Sequence, residues 1–112
     1  MDSEASWQSF QLKDLIEKQR GSGKPYLEFL RVPALSCGIY TLSRGSRDLQ
    51  SPHDEDEVYY VVMGRGRVRV GTAVQEVGPG SILYIEASSE HSFFEIDEDI
   101  TLLVFFASGG PA

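Results

Sequence analysis

From Tyr26 onward, apolar residues recur in short runs separated by turn residues every eight to twelve positions or so, the spacing of an all-β sandwich or barrel. Strands are expected near Tyr26–Val32, Ser36–Ser43, Val58–Met63, Gly66–Val70, Ala73–Val77, Ser81–Ile85, His91–Ile96 and Thr101–Ala107. Gly71-Thr72 reads as a tight hairpin, and Gly78-Pro79-Gly80 as a second turn. Before this region the period changes: Phe10, Leu12, Leu15 and Ile16 fall on one helical stripe that ends at Gly21-Ser22-Gly23, which predicts one short helix. Val58–Met63 and Leu102–Phe106 are apolar at odd and even positions alike, so both faces of those strands ask for cover. A second copy of the chain is one source of it, and a homodimer is expected.

These elements make one domain at 25–108, led by a segment at 1–24 that carries the helix and followed by a frayed tail at 109–112. A length of 112 residues, 41% hydrophobic, supports one core and not two. No apolar stretch approaches the ~20 residues of a membrane span, and Met1-Asp2-Ser3-Glu4 is not the start of a signal peptide, so a cytoplasmic chain without a membrane partner is expected. A formal charge of -7 argues against nucleic acid, whose phosphates are held by surplus Lys and Arg. Cys37, the single cysteine, reads as a small buried hydrophobe.

The candidate chemistry lies in a spacing. His53 and Glu57 stand four apart, and His91, the other of the two histidines, follows 34 residues after Glu57. Asp54, Glu55, Asp56 and Glu57 form a row of carboxylates. If Glu57 turns inward, its like-charged neighbours disfavour the ionised form unless a cation offsets them. Imidazole with carboxylate suits Fe(II), Mn(II), Ni(II), Zn(II) or Cu(II), and leaves coordination positions open. The same residues also fit a solvated acidic turn with two incidental histidines. By strand parity, Phe93 and Glu95 share the side of His91, and Tyr59 with Phe93 would give a small-molecule pocket an apolar wall. The Arg67/Val68/Arg69/Val70 alternation is that of a strand with one wet face, and Gly64, Gly66 and Gly71 are assigned to turns.

The run from Gln50 to Gly64 resembles the first cupin motif, HxHxxxE followed by six residues and a glycine, with His53, Glu57 and Gly64 in register and Ser51 at the place of the first histidine. The second motif matches at Gly80 and His91, with Ile85-Glu86-Ala87-Ser88 at its PxG turn. There Glu86 and Ser88 replace proline and glycine, and Glu95 stands where asparagine is frequent. The resemblance covers roughly residues 35–107. It implies a cupin-type antiparallel β-barrel, a jelly-roll sandwich, with His53, Glu57 and His91 holding a divalent metal in the barrel mouth. Ser51 is a poor ligand for the fourth position, which leaves it to Gln50, Glu55 or water. A small organic substrate or ligand would sit beside the metal among Tyr59, Phe93, Glu95 and Ser51, with Glu95 or Tyr59 as acid or base. The family's activities span oxygenases, isomerases and lyases. The alternative is a non-catalytic ligand-binding or sensor cupin whose metal site has degenerated at Ser51.

Overall fold

A computed structural model describes residues 6–48 and 54–107. The elements run α1 (Leu12–Ser22), β1 (Tyr26–Val32), β2 (Leu35–Leu42), β3 (Glu57–Val70), β4 (Ala73–Val77), β5 (Ile82–Ile85) and β6 (His91–Phe106). Every strand pairing is antiparallel. The helix forms over most of the apolar stripe and ends where expected, but it starts at Leu12, which leaves Phe10 outside it and exposed. Leu15 and Gln19 are buried, and Gly23 closes the last turn in the left-handed region at φ 70°, donating its N–H to the Arg20 carbonyl. The Gln19 amide then donates to the Lys24 carbonyl at 2.6 Å and to Thr41 Oγ1 at 3.0 Å, fastening the helix to β2.

Six strands stand where eight were expected among these residues, because two pairs are continuous. Val58–Met63 and Gly66–Val70 are the halves of β3, and His91–Ile96 and Thr101–Ala107 lie largely within β6. Gly64, assigned to a turn from sequence, therefore lies inside a strand, and so does Gly66, the first residue of the expected strand Gly66–Val70. At Gly64 the backbone takes φ 95°, and a Cβ there would collide with the Asp99 carbonyl of β6. The close approach admits only glycine. Gly71 does lie in the tight turn, at φ 60°.

These two strands build the molecule. The first half of β3 lies between β5 and the second half of β6, which continues through β2 to β1. The second half of β3 lies between β4 and the first half of β6. Register shifts between Val61 and Arg67 mark the crossing from one part to the other. The inward-facing parity changes there: Glu57, Tyr59 and Val61 are buried, then Gly64, Gly66 and Val68. Strand β6 changes parity in the same way at Glu95, which takes φ 48°, so that His91 and Phe93 are buried before it, and Ile96, Ile100, Leu102 and Val104 after it. The side chains so collected, with Leu42, Val77 and Ile85, form one core. Cys37 is buried, as expected.

The outer face of the doubly apolar strands is less covered than its composition asks: Val58, Leu103 and Phe105 are half-buried, while Tyr60 is exposed, as are Ile82 and Tyr84 on neighbouring β5. No helix among the described residues is long and apolar enough to cross a membrane.

Candidate functional site

Glu57 opens β3 and His91 opens β6. In the strand register Glu57 lies opposite Phe106 and His91 opposite Val70, thirteen residues away along β3, about 43 Å in a straight strand. Yet His91 Nε2 is 2.9 Å from Glu57 Oε1, with both side chains 1% exposed. The paired strands are therefore rolled until their far ends meet, and the meeting point is the candidate site.

The imidazole is held in one orientation. Ser89 O lies 3.0 Å from Nδ1, and a carbonyl only accepts, so Nδ1 carries a proton and Nε2 faces Glu57. The Glu57 hydrogen bond raises the His91 pKa above its ordinary value; burial opposes it, and the Ser89 carbonyl and nearby Asp48 add to the rise. The charged ring then donates from Nε2 to Glu57, with the Tyr59 hydroxyl oxygen at 3.1 Å from the same nitrogen. Glu57 Oε2 is buried and has no hydrogen-bond partner among the described residues. A buried carboxylate oxygen in that state costs on the order of 1–3 kcal/mol unless something pairs with it.

Of the four successive carboxylates, Glu57 alone is buried; Glu55 is half-buried, and Asp54 and Asp56 are exposed. Asp56 is not idle: its Oδ1 accepts the Ala87 N–H at 2.8 Å, tying the acidic turn to the loop before β6. Ser88 in that loop takes φ 66°, the left-handed conformation that suits the glycine of the resembled motif.

The pocket residues expected from sequence separate. Tyr59 is fully buried, touches His91 and packs edge-to-face on Phe93 with ring centroids 5.1 Å apart. Phe93 stands behind Tyr59 in the core. Glu95 is corrected: the left-handed residue breaks the parity it was assigned by, and its side chain is exposed and paired to Arg67 at 3.2 Å. Ser51 and His53 lie outside the described residues. Among the described residues no three His, Cys, Asp or Glu side chains are grouped to hold a metal ion.

Asp48 was not singled out from sequence. It is buried in a loop, where one oxygen accepts the Tyr40 hydroxyl at 2.8 Å and the other the Phe93 N–H at 3.0 Å. Burial first, then Asp48, pushes the Tyr40 phenol well above its ordinary pKa. No pattern in the chain marks Asp48, because its partners are 8 and 45 residues away.

A cavity of about 290 Å³ has in its wall Tyr59, whose hydroxyl contacts His91. Tyr26, Tyr40, Ser36, Val104 and Phe106 complete the interior, with Glu28, Arg31 and Glu55 also lining it. The Tyr26 ring lies directly on Gly38, where any Cβ would strike it.

A rolled antiparallel sandwich, with its charged pair at one end beside a cavity, is the architecture the two motifs implied. The chain belongs to the cupin family: the cupin domain (Cupin_2) matches residues 38–106. It is 40% identical over 99 residues, 88% of this chain and 94% of the other, to an uncharacterized protein of Streptomyces coelicolor. Among solved structures it resembles KdgF from Halomonas sp. (TM-score 0.67, 19% identity, 73% of this chain and 77% of that one). It also resembles the DMSP lyase DddQ from Ruegeria pomeroyi (TM-score 0.65, 17% identity), covering 72% of this chain and 42% of that one. At such identities the likeness is one of fold.

Proposed function

We propose that this cupin binds a small organic molecule in the cavity beside Tyr59 and a divalent metal through His53, Glu57 and His91. The observation that carries the metal is Glu57 Oε2, without a hydrogen-bond partner among the described residues and buried next to an imidazole whose Nδ1 is already committed. A neutral His91 presents its Nε2 lone pair on the side where Glu57 offers a free oxygen. Their 2.9 Å separation is also about that of two adjacent ligands on one ion with bonds of ~2.1 Å. A bound metal would supply a Lewis acid with positions open to a ligand. The protein's own part is to keep water from Glu57, to orient His91 through Ser89, and to hold a proton on the Tyr59 hydroxyl between His91 and the cavity. Lyase, isomerase and oxygenase chemistry are all compatible with that arrangement, and the likeness to a DMSP lyase supports an enzyme by fold alone.

One observation favours a second reading, a metal-free ligand-binding cupin: protonated His91 satisfies Glu57 Oε1 directly, so the pair is stable as an ion pair. Elemental analysis of untagged protein after incubation with Fe(II), Mn(II), Ni(II) or Zn(II) decides between them. About one metal per chain, lost in His91→Ala and His53→Ala, is the expected result. Sub-stoichiometric metal that neither substitution changes leaves the metal-free reading. A cytoplasmic homodimer remains part of the proposal, and sedimentation should give a mass near twice 12.4 kDa.

A further inference from the structure

The cavity has a chemical preference written in its lining. Aromatic residues from β1, β2, β3 and β6 line it: Tyr26, Tyr40, Tyr59 and Phe106. Tyr26 and Tyr40 meet at 65° with centroids 6.2 Å apart, so they form the two walls of a corner and leave no room between them for a stacked ring. The charged lining is two carboxylates, Glu28 and Glu55, against one guanidinium, Arg31. That guanidinium is already engaged by Glu28 through two hydrogen bonds of 2.6 and 3.0 Å. Glu55 has no ion-pair partner among the described residues.

We infer that the cavity takes a small organic cation, an alkylated ammonium head seated in the Tyr26–Tyr40 corner under Glu28 and Glu55. Ring faces attract a cation within about 6 Å of their centroids, and a weakly hydrated alkylammonium surrenders little water to enter such a corner. The excess carboxylate opposes an anion and favours a cation over a neutral molecule of the same shape. The field at Tyr26 has the matching sign: its phenol is pushed up to about 12, by burial first and by Glu28 next, and Arg31 does not cancel that effect. The inference rests on the small-molecule pocket proposed above and not on the metal.

Calorimetric titration of the full chain, stripped of metal with EDTA, tests it with choline against its neutral isostere 3,3-dimethylbutan-1-ol. Choline should saturate and bind about tenfold more tightly than the isostere. Glu55→Gln and Tyr26→Leu should each weaken choline several-fold, the first by charge alone. Equal affinity for the two molecules overturns the inference, as does the absence of saturable binding by either. Preference for 3,3-dimethylbutanoate also overturns it and assigns the cavity to Arg31. Should a variant fail to fold, the comparison of ligands on the parent chain still decides. Metal content is a separate readout: choline binding without metal retains the cation site, and metal without choline preference retains the metal site.

Discussion

His91 couples two opposite dependences on pH. In the metal-free protein its folded pKa lies above the unfolded value of 6.5, chiefly through Glu57. The resulting stability is fully present below that unfolded value and is lost as pH rises through the folded one. Thermal melting of EDTA-treated protein should therefore fall over the range above pH 6.5, and His91→Gln should flatten that slope. Metal binding competes with the proton on Nε2, so affinity for the metal should rise over the same range. A second prediction concerns Asp48. Tyr40→Phe removes a hydrogen bond to a buried carboxylate, and chemical denaturation should show a loss of about 1–3 kcal/mol. At this scale sequence is an uneven guide. Glu57 and His91 were legible because motif spacing carries them, whereas Asp48 reaches partners by a path with no period. Glu95 was misplaced because one left-handed residue inverts parity, and nothing in His91–Glu95 announces it.

Among the elements, the two long strands depend on conformations that side chains resist. Gly64→Ala places a Cβ against the Asp99 carbonyl and demands φ 95° of an L residue; a loss of about 2–4 kcal/mol in equilibrium unfolding is expected. Ser88→Gly runs the other way. It relieves a left-handed serine at φ 66°, and a gain of about 0.5–1 kcal/mol should appear in the same assay, smaller than the relief itself because glycine also gains freedom when unfolded. The end of the helix and strands β1 and β4 were readable to within a residue, since each has clear end signals. Breaks were expected after Met63, where Gly64 was assigned to a turn, and between Ile96 and Thr101. They are instead the places where continuous strands bend, and a bend of that kind is defined by contacts between the strands.

For the whole molecule, two motifs implied the family and the barrel that brings Glu57 to His91, but not that two pairs of expected strands run on as single long ones. Pairings such as Ser36 with Phe106 and Glu57 with Phe106 are long-range, so closure of the roll joins segments far apart in the chain. Refolding is expected to be slow for a chain of this size, with a stopped-flow phase in the millisecond-to-second range, on the order of that of other all-β domains. The His91–Glu57 contact adds something further. It joins the first residues of the two longest strands, so whatever bridges that pair clasps the roll shut. An ion or ligand seated there binds the closed molecule and has no site on the unrolled one, and a transition state in which the ends have not yet met does not feel it. Occupancy should thus lengthen the lifetime of the folded protein while leaving its refolding rate unchanged, making this small barrel a latch whose durability is set by what it holds.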